Sequence, residues 1–538
     1  MSEPSTPSTD DETAAAAARI AAGYAVEGPA LDLGAVSVGG RTHPDAQVRL
    51  PLSVLNRHGL IAGATGTGKT RTLQLMAEQL SAAGVPVVLA DLKGDLAGLA
   101  RPGEATERVT RRSADTADPW QPTGFPVEYL ALGGLGTGVP VRATVSDFGP
   151  TLLAKVLGLN ATQESSLGLV FHHADEAGLP LLDLADLRAL LTWLTSKEGK
   201  EELAGLGGLS KATAGVVLRE LVALEDLGGD VFFGEPAFDP ADLIRTAPDG
   251  RGVISAVELP AVADRPALFS TFLVWLLAEL FEELPEVGDL DAPKVVFFLD
   301  EAHLLFTGAS KAFLTAVTQT VRLIRSKGVG VFFVTQQPTD VPSDVLGQLG
   351  NRVQHALRTF TPEDADALKK TVRTFPRSDV YDVAELLTTL GTGEAAVTVL
   401  SERGAPTPLA WTVLRAPRAS MGTVEPAAMA AAVAASPLQP RYGTAVDRES
   451  AREVLAARLA PPPAPSPSRE PEREPEREPE REPLREAQRR TRAEAPEEER
   501  GVLGDLMASS AFRSFARSAA STLGRELTRG LFGTRRRR

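Results

Sequence analysis

Residues 59–84 read GLIAGATGTGKTRTLQLMAEQLSAAG, and this stretch decides the fold. The apolar run at 59–62 predicts a buried strand, and the run from Arg71 predicts a helix that ends at Gly84. Between them Gly63-Ala64-Thr65-Gly66-Thr67-Gly68-Lys69-Thr70 matches the phosphate-loop pattern G-x-x-x-x-G-K-[ST], in the strand–loop–helix setting that the pattern requires. Glycines there let the backbone wrap phosphates and turn its N–H groups inward, and the helix N-terminus adds its positive dipole. Lys69 is expected to reach the β- and γ-phosphates and Thr70 to hold Mg²⁺, with Arg71 counted among the nucleotide-binding residues. ATP and Mg²⁺ are the expected ligands.

Hydrolysis needs a second site that steadies magnesium and activates water. The run KVVFFLD (294–300) leads into Glu301-Ala302-His303, and a carboxylate at the C-terminal end of a buried parallel strand faces the ligand crevice. Asp300 is expected to bind Mg²⁺ through water and Glu301 to polarise the attacking water as general base. The run GVGVFFVTQQ (328–337) ends in Thr335-Gln336-Gln337-Pro338, which makes Gln336 the candidate γ-phosphate sensor. The letters DEAH at 300–303 suggest a superfamily-2 helicase, but three features oppose that. Lys69 and Asp300 are 231 positions apart (300 − 69), no Ser-Ala-Thr segment follows, and no second RecA-like domain with a Gln-x-x-Gly-Arg-x-x-Arg helix is visible. His303 is therefore read as a local packing or hydrogen-bonding residue.

Outward from these motifs, further strand-like runs occur at VPVVLAD (85–91), GVISAVEL (252–259) and NRVQHALRTF (351–360). Near-continuous apolar strands alternating with helices predict an α/β fold: a RecA-like P-loop core, mostly parallel, with helices on both faces. Residues 1–18 read as disordered and 19–50 as a small β segment. The core is expected in two parts, 51–150 and 248–420, around a helical insertion at 151–247, and EAAVTVL and LAWTVLRAP read as a closing hairpin. Residues 421–500 read as a low-complexity linker, because the Arg-Glu-Pro-Glu repeat forbids a continuous helix. Residues 501–538 read as an amphipathic basic helix ending in four arginines, which can dock on the body of the protein, an acidic membrane surface or nucleic acid.

Composition bounds the function. With no cysteine and six histidines among 538 residues, there is neither a disulfide framework nor a thiolate metal site. A net charge of −14 excludes a protein that coats nucleic acid. The N-terminus has no signal-peptide pattern, and the longest apolar stretch, near Phe269–Phe281, is short of the ~20 residues that span a bilayer, so a soluble cytoplasmic protein without integral membrane association is expected. The charge is uneven. Residues 151–247 carry 7 basic and 15 acidic residues, net −8, whereas 301–418 carry 13 and 11, net +2, and 501–538 carry 8 and 2, net +6.

GATGTGKT (63–70), LADLKGDLAGLA (89–100), FFLDEAH (297–303), RLIRSKGVGVFFVTQQP (322–338) and LGQLGNRVQHALRTF (346–360) together resemble the HerA/FtsK group of RecA-like ATPases. The resemblance is strongest to the HerA-like, YjgR-type bacterial proteins and covers roughly residues 20–420. It implies a homo-hexameric ring with nucleotide sites between subunits, often pumping double-stranded DNA. It also places Asp91 and Asp95 near the site. A ring of this kind needs an arginine from a neighbour to stabilise transition-state charge; Arg352 is the first choice, with Arg358, Arg322 and Arg325 as alternatives. The chain shows no winged-helix module and no membrane-spanning N-terminus, and its acidic insertion would be repelled by a DNA channel. Two readings follow: a ring motor acting on DNA, or a nucleotide-gated scaffold that controls a protein partner through the insertion or the basic C-terminal helix. A small-molecule phosphotransferase is disfavoured by the lack of an Arg-rich lid.

Overall fold

The computed structural model describes residues 9–203, 207–288 and 290–459. Twelve strands form one sheet: β1 (Ala30–Val38), β2 (Arg41–Pro51), β3 (Gly59–Ala62), β4 (Val87–Asp91), β5 (Val127–Leu132), β6 (Val139–Val141), β7 (Ile254–Glu258), β8 (Val295–Leu299), β9 (Val329–Thr335), β10 (Asn351–Gln354), β11 (Glu394–Thr398) and β12 (Ala410–Leu414). Their order is β2-β1-β12-β11-β10-β3-β9-β8-β4-β7-β5-β6. Every pairing from β10 to β6 is parallel, whereas β2, β1, β12, β11 and β10 pair antiparallel. The mostly parallel α/β sheet expected from the apolar runs is the fold. Strands β5 and β6 lie outside the strand-like runs above: β6 has only three residues, and the apolar residues of β5 are interrupted by Glu128.

The near-continuous apolar runs are explained by burial on both faces. In β8, Val295, Phe297 and Leu299 enter one core while Val296 and Phe298 enter the other; in β9, Val331 and Phe333 separate from Phe332 and Val334 in the same way. This is the two-residue period of a strand, with neither face left polar. One face is covered by α1 (Thr9–Ala22) and α2 (Lys69–Ala82). The other is covered by α4 (Val145–Val156), α5 (Ala161–Glu176), α6 (Leu184–Leu194), α7 (Lys211–Asp226) and α8 (Pro266–Glu283), while α3 (Glu107–Asp115) lies beside β2. The segment expected as an insertion is therefore helical and shares one continuous core with the sheet. Phe148, Phe233, Phe272 and Trp275 join it, with Phe148 edge-on to Phe233 at 5.2 Å between ring centroids. No helix among the described residues is long and apolar enough to cross a membrane.

Two boundaries differ from expectation. Residues 9–18 are helical rather than disordered. Asp10, Asp11 and Glu12 offset the dipole of α1, the alanine run has high helix propensity, and Ala17 and Ile20 are buried. Residues 421–459 are not a free linker either. Helices Pro426–Ala434 and Ala451–Leu459 lie there, and Leu438, Tyr442, Ala451 and Leu455 are buried in the main core. The Arg-Glu-Pro-Glu repeat and the basic C-terminal helix, like residues 1–8, lie outside the described residues.

Candidate nucleotide-binding site

The phosphate loop joins β3 to α2 at the C-terminal edge of the parallel strands, where ligand crevices of such sheets form. Its backbone is pinned from both neighbouring strands: Gly63 N donates to Thr335 O (3.2 Å) and Ala64 N to Ala356 O (2.8 Å). Gly68 caps α2 at φ +117°, a conformation that side chains resist. Gly63 has a second reason to be glycine, since a Cβ there would lie 2.5 Å from His355 Cβ. His355 is fully buried behind the loop, with Nε2 2.8 Å from Thr72 Oγ1, and burial pulls its imidazole down to about 4. It is thus neutral at pH 7 and adds no charge beneath the phosphates.

Lys69 Nζ donates to Gly63 O at 2.7 Å, so its ammonium is folded against the loop it serves. Burial lowers its pKa, and the nearby Asp300 and Glu301 act in the opposite direction. Those two carboxylates follow β8, separated from β3 in the sheet only by β9. Burial is the main cause that pushes Asp300 up to about 6, against the hydrogen bond it accepts from Glu301 N at 2.9 Å. Glu301 sits at φ +47°, a left-handed backbone that a residue with a side chain adopts at a cost of roughly 1–2 kcal/mol. Its Oε2 is buried without a hydrogen bond, His303 Nδ1 lies 3.5 Å from it, and Lys93 Nζ lies 3.3 Å from Oε1. This strained backbone two residues after the strand lies at the cleft, as backbone outliers at functional positions do, whereas the other two positive-φ side-chain residues, His58 and Ala117, do not line it.

Lys93, absent from the expected site, follows β4 and lines the same cleft as Asp95. Asp91 does not. It is 1% exposed, and its carboxylate is spent on the backbone N–H groups of Lys93, Gly94 and Leu96, holding the turn that delivers Lys93 and Asp95.

The cleft has a volume of about 450 Å³, and Lys69, Thr70, Arg71, Asp300 and Glu301 all line it. The rest of its lining comes from distant parts of the chain: Arg108 and Arg112 on α3, Gly393 before β11, and Arg415, Pro417 and Met421 after β12. Arg112 Nη1 donates to Gly393 O at 2.9 Å and to Leu414 O at 3.3 Å, and Gly393 N in turn donates to Thr67 O of the phosphate loop. The segment after β12 is strapped across α2. Glu78 accepts from Arg418 N (2.7 Å) and Ala419 N (2.9 Å), Gln74 donates to Ser420 O (3.0 Å), and Arg71 Nη2 donates to Met421 O (2.8 Å). Arg71 thus borders the cleft while anchoring its lid-like wall. None of these wall residues belongs to a local motif; only LKGD after β4 carried a signal for Lys93, inside the segment of family resemblance.

Gln336 and Arg352 do not line this cleft. Gln336 follows β9, next to the loop, with an exposed side chain. Arg352 pairs with Leu60 in the β10–β3 register, towards the N-terminal ends of the strands, and its guanidinium is 3.4 Å from Thr374 O. Arg358 is exposed beyond β10.

The donor set suits magnesium. A threonine hydroxyl and a carboxylate are hard oxygen ligands, and Mg²⁺ is commonly held by one or two such groups plus substrate phosphates. Among the described residues, no group of three His, Cys, Asp or Glu could hold a metal alone.

The family model described as helicase HerA-like C-terminal matches residues 37–538. Among solved structures, the bacterial conjugative coupling protein TrwBdeltaN70 in its unbound monoclinic form is 16% identical, over 76% of this chain and 94% of that one, with a TM-score of 0.47. The plasmid coupling protein TrwB in complex with ADP and Mg²⁺ is 16% identical, over 76% and 95%, at 0.47. VirB4 of Thermoanaerobacter pseudethanolicus is 13% identical, over 73% and 98%, at 0.45. No curated protein matches the sequence. The family match spans most of the chain and agrees with the phosphate loop and the acidic strand end: the protein belongs to the helicase HerA-like C-terminal family and is a P-loop ATPase.

Proposed function

We propose that the protein binds ATP with Mg²⁺ and hydrolyses it as a cytoplasmic ring motor, a homo-hexamer acting on double-stranded DNA. The observation that carries the ATPase half is the convergence of Lys69, Thr70, Asp300 and Glu301 on one cleft, with Glu301 held in a left-handed backbone. In this reading the N–H groups from Gly63 to Thr70 cradle the phosphates and Lys69 leaves the Gly63 carbonyl to meet them. Thr70 and Asp300 would hold the magnesium ion, which neutralises phosphate charge when bound. Glu301 accepts a proton from the attacking water, and Lys93 keeps that carboxylate oriented. Gln336, at the end of β9 beside the loop, is assigned the sensing of the γ-phosphate. An arginine of a neighbouring subunit completes the charge. Arg352 remains the assigned finger and would act only on a neighbour's site, since its side chain does not line its own cleft.

DNA as the substrate rests on the family and on the charge split, in which residues 301–418 carry net +2 although the whole chain is −14. The net −8 of residues 151–247 favours the second reading, a nucleotide-gated scaffold for a protein partner. ATP turnover measured with and without duplex DNA separates them. The motor predicts stimulation that declines as salt rises, because phosphate contacts release counterions. Full turnover indifferent to DNA at every salt concentration would establish the scaffold instead.

A further inference from the structure

The helix Pro362–Val372 and its flanks have no role in the cleft, yet they expose an aromatic ring ahead of the helix and a set of cations towards its far end. Phe360 is 86% exposed, more than any other large apolar side chain among the described residues. From Arg358 to Arg377 there are five basic and three acidic residues. Arg358, Lys370, Arg373 and Arg377 are exposed and their side chains make no ion pair or hydrogen bond among the described residues, and Lys369 has only a surface pair with Asp366. Arg188, Arg245, Arg441, Arg448 and Arg452 are ion-paired, whereas Arg219 and Arg403 are exposed without an ion pair among the described residues, so it is the number of such cations on one helix and its flanks that marks this segment. Cations at a helix C-terminus offset its dipole, which accounts for Lys369 and Lys370. It does not account for Arg358, which precedes the helix, or Arg377, which follows it.

The same segment is tied to the phosphate end of the cleft. Thr335, whose carbonyl receives Gly63 N, donates through Oγ1 to Asp340 at 2.7 Å. Gln337 N also donates to Asp340 (2.9 Å), and Gln337 Nε2 donates to Asp364 Oδ1 (3.3 Å). Asp364 in turn accepts from Phe360 N at 3.0 Å. A second route runs from Ala64 N to Ala356 O, two residues before Arg358.

We propose that this surface, Arg358 and Phe360 with Lys370, Arg373 and Arg377, is where the protein grips the DNA backbone, and that the Gln337–Asp364 contact couples that grip to the nucleotide. The inference rests on the motor reading above and gives it a location. Unpaired cations neutralise phosphates, and an exposed aromatic packs on sugars or bases. The phosphate loop and the cationic helix are joined by hydrogen bonds through the end of β9, which gives a change at the loop a bonded route to the helix.

The test uses the full chain, with Kd for fluorescent duplex and single-stranded oligonucleotides measured across a salt series. Combining Lys370→Ala, Arg373→Ala and Arg377→Ala should lower the slope of log K against log salt by roughly 2–3, at about 0.9 per duplex phosphate contact and 0.7 per single-strand contact. Phe360→Ala should weaken binding and leave the slope unchanged, since it removes no charge. A triple variant with the wild-type slope and affinity overturns the surface while leaving the motor reading in place. A wild-type protein that binds neither form of DNA at low salt overturns both.

Discussion

The two walls of the nucleotide cleft are built in opposite ways. The phosphate wall is eight consecutive residues, 63–70, whose conformation is dictated by glycines and by the start of α2. The second wall draws on residues near 108–112, 393 and 415–421, brought together by Arg112 on the Gly393 and Leu414 carbonyls and by Glu78 on the backbone of Arg418 and Ala419. The first wall is chemistry that a short motif can encode. The second is a surface that exists only when the ends of the sheet, α3 and the segment after β12 are in place. Damage to the first should therefore abolish function at one residue, whereas damage to the second should be graded.

Lys69→Ala gives the largest expected effect. Losing two charge-assisted bonds of ~1.5–3 kcal/mol each should weaken ATP binding by roughly 100-fold or more, measured by titration with a fluorescent nucleotide; unchanged affinity would mean that the loop is not the binding wall. Glu301→Gln comes next. Turnover should fall by ~10²–10⁴-fold, the usual contribution of a general base, while ATP affinity stays near wild type, and wild-type turnover would remove Glu301 from the mechanism. Arg112→Ala should be milder. It takes one donor from the Gly393 and Leu414 carbonyls, of which Gly393 O keeps Leu414 N at 3.0 Å, a cost of ~1 kcal/mol, so nucleotide affinity should drop by roughly fivefold with a lower melting temperature. If affinity fell as far as in Lys69→Ala, the contrast between the walls would be lost.

The smallest effect concerns Glu78, whose carboxyl burial pushes up to about 7 despite the N–H donors of Arg418 and Ala419. A carboxyl with a raised folded pKa favours the folded state while protonated. Its contribution is complete below its ordinary value of 4.5 and is lost as pH rises through about 7. Thermal melts should therefore decline between about pH 5 and pH 8, and Glu78→Gln should flatten that decline. Identical pH profiles for the two proteins would rule out Glu78 as its source.

Asp300 and Glu301 show how far local reading reaches. An apolar run ending in two acids was enough to place them at the crevice edge, because a parallel strand buried on both faces must be apolar until it emerges. Nothing in the run foretold the left-handed backbone at Glu301 or the lysine from β4 that meets it. Asp91 looked equivalent to Asp300, being an aspartate at a strand end. Its neighbours decide otherwise, since three backbone N–H groups of its own turn capture its carboxylate. Residues 9–18 and 421–459 failed for a related reason. Their composition is small and polar or proline-bearing, and their order comes from a few apolar groups such as Ile20, Tyr442 and Leu455 finding a core elsewhere.

The amino-acid sequence by itself determined the α/β class, the phosphate loop and the acidic strand end, because each is encoded by the period or spacing of neighbouring residues. The tertiary structure alone decided the second wall of the cleft, the strap after β12, the employment of Asp91 as a turn residue, and the hydrogen-bonded path from the loop to the helix that carries the exposed cations. Those depend on contacts between residues hundreds of positions apart. Such contacts exist only after two hydrophobic cores have closed on the sheet, and no local pattern records them.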